Sequence, residues 1–203
     1  MKRFLPHIVL TLFVAQLLLM VGSWLYSAAY PMSGVRSMLS GEGLRWFLGH
    51  FADMLATPQL VYILLLSMGY GTLRHSGIRS ALSPLRGGVR RLLAYREQRA
   101  LTITLLLLAV YVVVVLLLTA VPHALLLSAT GRLWPSPFSA SLVPLVAFGM
   151  VVAGVVYGVV AGRYVTLSDV CCALLKGLEA GTPWLLLYVL AAQLYESLLY
   201  VIA

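Results

Sequence analysis

The sequence has little charge for its length. Of its 203 residues, 10% are charged and 62% are hydrophobic, whereas an ordinary soluble domain has about 25% charged residues. A soluble fold of this size could not keep so much apolar surface away from water. We therefore expect an all-α, polytopic integral membrane protein that is surrounded mostly by lipid.

Residues that usually form catalytic or metal sites are also scarce. The two cysteines, Cys171 and Cys172, are adjacent, and neighbouring cysteines rarely have disulfide geometry, so we interpret them as packing residues. The four histidines lie in different segments and lack the spacing of metal ligands. The sequence contains no G-x-S-x-G, H-E-x-x-H or phosphate-loop pattern. We expect neither an enzyme nor a bound cofactor or metal.

Hydrophobic runs predict about five membrane-spanning helices, at residues 8–28, 58–73, 101–121, 141–165 and 183–202. The first could be a cleaved signal peptide, but its apolar core exceeds the ~7–15 residues usual for one, which favours a retained helix. Prolines near the predicted starts support these boundaries, because proline is tolerated in a first helical turn. They are Pro6, Pro58, Pro144 and Pro183.

Two amphipathic segments, 41–55 and 168–180, predict helices that lie in the membrane interface. Ser40 and Glu42 are typical of a helix start, with an acid in the first turn.

The Lys and Arg residues are distributed unevenly between the connections. With the N-terminus inside, eleven lie on the cytoplasmic side and three outside, which predicts an N-in, C-out topology. A basic cytoplasmic loop, residues 74–100, should contact anionic lipid headgroups; a weaker alternative makes it the binding site of a cytosolic partner. Nucleic-acid binding is not expected, because the loop lacks interleaved aromatic residues. Its arginines are Arg74, Arg79, Arg86, Arg90, Arg91, Arg96 and Arg99.

Two groups of residues inside the predicted spans are candidate functional positions. Gly154, Gly158 and Gly162 recur every four residues, a spacing that lets another helix approach closely. Glu196 is an acid within the last span, where charge is costly, and Gln193 lies one turn earlier. Asp53 is a further candidate for this intramembrane polar site, although Glu196 could simply be solvated at the interface and Asp53 an interfacial anchor.

Four segments resemble the AbgT family of membrane transporters, which is associated with p-aminobenzoyl-glutamate uptake and antimetabolite efflux. The first is GVRSMLSGEGLRWFLGHFADMLATPQLV, which begins at Gly34. The others are YREQRAL from Tyr95, SPFSASLVPLVAFGMVVAGVVYGVVAGRYVTLSDV from Ser136, and AAQL from Ala191. They occur in the family's order and together extend over most of the chain.

The resemblance also implies that part of the family's pattern is missing. Family members are more than twice as long and carry a re-entrant hairpin between a segment similar to GTLRHSGI and the YREQRAL segment; here residues 78–95 replace it. A second hairpin would follow AAQL. The chain thus resembles a transporter frame without its transport core, and none of the family's binding residues can be transferred to it.

We therefore expect a scaffold or accessory subunit in the bacterial inner membrane that carries no solute, as a homodimer or part of a larger complex. The alternative is a minimal transporter of p-aminobenzoyl-glutamate or related anions, completed by dimerisation or by a separate core subunit.

Overall fold

The computed structural model of the protein describes residues 4–32, 34–82, 95–120 and 137–202. These residues form helices joined by turns, and no strand occurs among them, which confirms the predicted all-α class. The helices are α1 Leu5–Ala29, α2 Gly41–Gly49, α3 Phe51–Leu55, α4 Pro58–Ser76, α5 Ile78–Leu82, α6 Tyr95–Ala120, α7 Pro137–Val160 and α8 Leu167–Ile202.

Four of the described helices are long and apolar enough to cross a membrane. These segments are Leu5–Ala29, Tyr95–Thr119, Phe138–Val160 and Leu167–Ile202. In the first two, few residues of the most apolar window are fully buried, so large parts of the surface of α1 and α6 are open to lipid. The polytopic membrane character is confirmed, whereas the number of five spans and the orientation stay predictions.

The shorter helix α4 is not among these four candidates. It has 19 residues, which corresponds to about 28 Å, close to the ~30 Å hydrocarbon thickness. Polar residues occupy both of its ends: Gln59 at the start, and Arg74 and His75 in the last turn. A crossing by α4 therefore stays a prediction.

The proline-based boundaries are right at two positions and wrong at two. Pro6 lies in the first turn of α1 and Pro58 begins α4, but Pro144 and Pro183 lie inside α7 and α8. A proline removes one helical hydrogen bond, yet in lipid the remaining backbone groups find no better partners than those of a continuing helix. The predicted start at residue 141 is corrected to Pro137, where α7 begins.

The last two predicted elements form a single helix. Segments 168–180 and 183–202 were expected to be separate, but α8 runs for 36 residues without interruption. At 1.5 Å per residue that is about 54 Å, longer than the ~30 Å needed to span the hydrocarbon. The amphipathic segment 41–55, in contrast, is divided at His50 into α2 and α3.

Ser40 caps the first of these two helices as its sequence predicts. Its backbone is extended, and its Oγ accepts a hydrogen bond from the Gly43 amide at 3.1 Å. Glu42 lies in the first turn of α2, where the helix dipole stabilises an acidic side chain.

The helices belong to two compact units, and α4 and α8 each contribute to both. Unit 1 contains Met1–Ile63 and Thr182–Ala203, and unit 2 contains Leu64–Gly181. Within unit 1, the segment before α2 packs on α1 and on the end of α8: Met38 is fully buried and its amide donates to Ser23 Oγ at 3.2 Å. The Arg36 amide donates to the Val201 carbonyl at 3.2 Å.

Small residues bring the helices of unit 2 close together. A Cβ added to Gly71 of α4 would lie 2.5 Å from the carbonyl oxygen of Ala173 in α8, and one added to Gly154 of α7 would lie 2.7 Å from the Thr72 carbonyl carbon. Such approaches are possible only where the side chain is a hydrogen atom. In unit 2, α4 therefore packs directly against both α7 and α8, while α6 packs along α7.

Candidate functional site

The acid predicted in the last helix lies in a hollow of unit 1. Glu196 is half-buried and lines a hollow of about 330 Å³ together with two alanines and five larger residues. These five come from the α3–α4 region and from α8: Met54, Thr57, Gln59, Tyr188 and Tyr195. The chain around the start of α4 and the second half of α8 thus form one recess, whose lining is mostly apolar and includes one acid.

A hydrogen bond joins two of the residues that line this hollow. The Tyr188 hydroxyl pairs with Thr57 Oγ1 and also donates to the Leu55 carbonyl at 3.5 Å. Because these groups satisfy one another, the hydroxyl of Tyr188 is held in the turn between α3 and α4. The tie joins residues more than 130 positions apart in sequence, a connection that periodicity could not have found.

The other two residues of the predicted polar site do not line the hollow. Asp53 is exposed on α3, and Gln193 is half-buried on α8, one turn before Glu196. Neither is among the residues that surround the recess. The structure therefore groups Glu196 with Thr57 and the two tyrosines and not with the polar residues chosen from the sequence.

A second polar contact joins α1 to α8 beside Glu196. Gln16 Nε2 donates to Ser197 Oγ at 2.9 Å, and Ser197 is fully buried. The Gln16 side-chain oxygen is buried and has no hydrogen-bond partner among the described residues. Polar hydrogen bonding between membrane helices contributes to their association, so we assign this pair to packing.

Residues of three motif segments converge at one end of unit 2. The Arg163 guanidinium, just after α7, lies 3.4 Å from a carboxylate oxygen of Glu97 in the first turn of α6. Arg96 Nε donates to the Val160 carbonyl at 3.3 Å. A Cβ on Gly77, between α4 and α5, would lie 2.8 Å from Arg163 Nε. We call Gly77, Arg96, Glu97 and Arg163 the motif junction.

Two buried tyrosines line the interior side of this junction. The Tyr164 hydroxyl donates to the Thr72 carbonyl at 3.1 Å, so it ties the α7–α8 connection to α4. Tyr157 is fully buried against Ala81 and Ala100, but its hydroxyl has no hydrogen-bond partner in the described parts of the chain. Sequence reasoning missed both tyrosines, since each looks like an ordinary apolar core residue.

The three glycines of the four-residue repeat have three different environments. Gly154 faces α4, as described above. A Cβ on Gly158 would lie 2.9 Å from Cγ of the Tyr164 ring. Gly162 lies beyond the end of α7 with φ +75°, and the Arg163 amide turns back to the Gly158 carbonyl at 2.8 Å. In this repeat, Gly154 thus contacts another helix, Gly158 contacts an aromatic ring, and Gly162 ends α7.

The arginines of the predicted basic loop are only partly outside helices. Arg74 lies in the last turn of α4, Arg79 lies in α5, and Arg96 and Arg99 lie in the first turns of α6. The predicted loop 74–100 is therefore shorter, because α5 and the start of α6 occupy parts of it. Arg86, Arg90 and Arg91 lie outside the described residues.

No group of three or more His, Cys, Asp or Glu residues that could hold a metal ion occurs among the described residues. Cys171 and Cys172 are free and exposed on α8. Their interpretation as packing residues is not supported within this chain, because both side chains are exposed. Because they are exposed, both can be replaced by serine to give a cysteine-free background for labelling experiments.

Comparisons with known proteins agree with the helical architecture. The sequence model of the AbgT transporter family matches residues 86–199. The fold is similar to the crystal structure of the YdaH transporter of Alcanivorax borkumensis, described as having an unusual topology, with a TM-score of 0.82 and 17% sequence identity. That match covers 96% of this chain and 71% of the other. No curated protein matches the sequence.

Proposed function

Because the chain belongs to the AbgT transporter family, we propose that it is a scaffold or accessory subunit of a complex in the bacterial inner membrane and does not itself carry solute. The proposal assigns it no chemical reaction and no cofactor. It builds on the chain's transporter-related, membrane-embedded character, which the family match and the apolar helices establish.

The short connection between α5 and α6 carries this proposal. Twelve residues, 83–94, separate the two helices. A helical hairpin that reaches the middle of a ~30 Å hydrocarbon layer and returns needs about ten residues in each direction. Twelve residues are fewer than the roughly twenty needed for the re-entrant hairpin that the family resemblance leads us to expect at this position. Such hairpins form binding sites in transporters of this kind.

The close packing of α4 against α8 in unit 2 supports a scaffold whose helices do not move relative to each other. Gly71 and Gly177 place the backbones of α4 and α8 in direct contact: a Cβ on Gly177 would lie 2.8 Å from the Gly71 Cα. Interfaces packed this closely resist sliding, because any displacement brings backbone atoms together. Alternating access, in contrast, requires one element to move against another.

The surface groove of unit 2 also lacks the chemistry of an anion pathway. It has a volume of about 470 Å³ and is lined by residues of α6 and α7 with Leu73 of α4. None of its lining residues is charged; Tyr111 is the most polar, and its hydroxyl is already bound to the Leu145 carbonyl at 2.9 Å. Such a surface fits lipid chains or apolar helices and not a glutamate-containing solute.

Transport and association assays test the proposal together. Purified protein in liposomes should give no uptake of p-aminobenzoyl-glutamate above that of empty liposomes, whereas gentle extraction from native membranes should recover a homodimer or a complex with a second polytopic chain. Glu179→Gln and Glu196→Gln, on the same helix, form the matched pair of variants. Uptake that persists in Glu179→Gln and disappears in Glu196→Gln would overturn the scaffold function.

That same result would favour the alternative, a minimal transporter completed by dimerisation or by a separate subunit. The observation that favours this candidate is an acid in a membrane helix: Glu196 lines a recess of unit 1, and ionisable residues within spans often belong to proton or ion pathways in transporters.

A further inference from the structure

The Glu196 hollow contains a carboxyl group that has no basic side chain beside it among the described residues. Among the described residues, the ion pair present is that of Arg163 with Glu97, and no residue that lines the hollow is basic. A charged side chain in a membrane helix usually has a partner or an aqueous cavity, because its desolvation is costly. The hollow therefore favours a ligand that brings positive charge.

The remaining lining of the hollow restricts the type of cation. The hydroxyls of Thr57 and Tyr188 are bound to each other, so they are committed to the protein. Calcium takes 6–8 oxygen ligands, and one carboxylate cannot supply such a shell. Tyr188, Tyr195 and Met54 instead present ring and thioether surface, and aromatic rings beside an acid are the environment in which proteins bind organic ammonium groups.

We propose that the Glu196 hollow binds a small organic ammonium ion, with the carboxylate of Glu196 as its counter-ion and the rings of Tyr188 and Tyr195 against its alkyl groups. The volume of about 330 Å³ lies at the small end of ligand sites in proteins. The site excludes anions such as p-aminobenzoyl-glutamate by charge. It goes beyond the scaffold function and does not depend on whether any solute crosses the membrane.

Choline is the probe for this site, and its uncharged isostere, in which carbon replaces the ammonium nitrogen, is the matched control. Binding of both to the full chain in maltoside micelles is followed by saturation-transfer NMR of their methyl groups. We expect choline to bind about tenfold more tightly than the isostere, since only choline gains the charge and cation–π interactions. Equal binding of the two compounds, or no binding of choline, would overturn the proposal.

Substitutions of the lining residues test whether choline binds in this hollow or adsorbs unspecifically to the protein. Glu196→Gln should weaken choline binding about tenfold, whereas Glu179→Gln, which changes an exposed acid of the same helix, should leave it unchanged. Tyr195→Leu should weaken binding and Tyr195→Phe should retain it, because the ring and not the hydroxyl makes the cation–π contact. Retained affinity in both Glu196→Gln and Tyr195→Leu would contradict the site, even if one variant alone folded poorly.

The same ammonium group could come from a free amine or from a lipid headgroup. Adding phosphatidylethanolamine to the micelles distinguishes these sources, with phosphatidylglycerol as the control without an amine. Displacement of choline by the first lipid and not the second identifies a headgroup site, whereas no displacement by either identifies a site for free amines. Displacement of choline by an equal concentration of sodium chloride would instead indicate an inorganic cation and overturn the proposal.

Discussion

The Arg163 guanidinium lies 3.4 Å from the Glu97 carboxylate, and this contact joins the end of α7 to the first turn of α6. Both residues belong to segments that resemble family motifs, yet they are 66 positions apart. Arg96, next to Glu97, adds a hydrogen bond to the Val160 carbonyl at 3.3 Å. Two adjacent residues of α6 thus bind both sides of the turn that ends α7.

A double-mutant cycle should give this ion pair a small coupling energy. The two side chains are 42% and 35% exposed, and exposed pairs contribute about 0.2–1 kcal/mol. We expect Glu97→Gln and Arg163→Gln to be coupled within that range, with a smaller value in high salt. Denaturant unfolding in micelles measures this coupling, and Arg79→Gln, at an exposed arginine of α5, is the control. Coupling well above that range would show that the junction excludes water.

Replacing Gly71 should destabilise the protein far more than replacing Gly22. A Cβ at position 71 would lie 2.5 Å from the backbone oxygen of Ala173, whereas one at position 22 meets nothing within 4 Å. Overpacking of this kind costs about 1–3 kcal/mol, so Gly71→Ala should lower the free energy of unfolding by that amount. Gly22→Ala should leave it unchanged or raise it by up to about 1 kcal/mol, because alanine favours helix. Similar effects of both changes would show that α4 can move away from α8.

The sequence predicted most helices because their signals are local. Ser40 shows this at one residue: its cap needs only the amide of Gly43, three positions later. Pro144 and Pro183 show the limit, because a proline can begin a helix or interrupt one, and the difference depends on whether the preceding segment packs as helix. Both prolines have helix on either side.

The candidate sites were less predictable because they depend on distant partners. Hydropathy selected Glu196 as the acid within the last helix, but the residues Thr57 and Tyr188, which line the same hollow, are 131 positions apart. Gly162 illustrates the same difficulty, since its place in a four-residue repeat predicts a helix face, whereas its positive φ ends the helix. A pattern identifies such residues without showing which chain segment will contact them.

Tyr157→Phe and Tyr164→Phe should have different effects on stability. The Tyr164 hydroxyl donates to the Thr72 carbonyl, so its removal should cost about 1 kcal/mol. The Tyr157 hydroxyl is buried without a partner in the described chain, and removal of an unsatisfied polar group should be neutral or stabilising. Thermal unfolding in the same detergent compares the two variants. A loss in Tyr157→Phe equal to that in Tyr164→Phe would mean that the Tyr157 hydroxyl has a partner.

The Tyr164 hydroxyl should also make stability fall at alkaline pH. Burial raises its pKa, an effect that the charge of Arg163 partly opposes. Since the folded-state pKa lies above that of the unfolded chain, about 10, this stabilisation is complete below that pH and is lost as the pH rises through the folded-state pKa. Unfolding measured from neutral to strongly alkaline pH should therefore show a steeper decline for the parent protein than for Tyr164→Phe. Parallel curves would mean that Tyr164 titrates alike in both states.

Labelling on either side of α4 tests both the fifth span and the N-in, C-out orientation. In a background with Cys171→Ser and Cys172→Ser, single cysteines replace Met32, which is fully exposed before α2, or Arg79, which is exposed in α5. If α1 and α4 both cross the membrane, an impermeant maleimide should label Met32→Cys on intact inner-membrane vesicles of native orientation and should label Arg79→Cys only after permeabilisation. The excess of Lys and Arg near residue 79 is the physical reason for this direction, because such residues are retained in the cytoplasm. Labelling of both cysteines from the same side would show that α4 does not cross, whereas the reverse pattern would keep the crossing and invert the orientation.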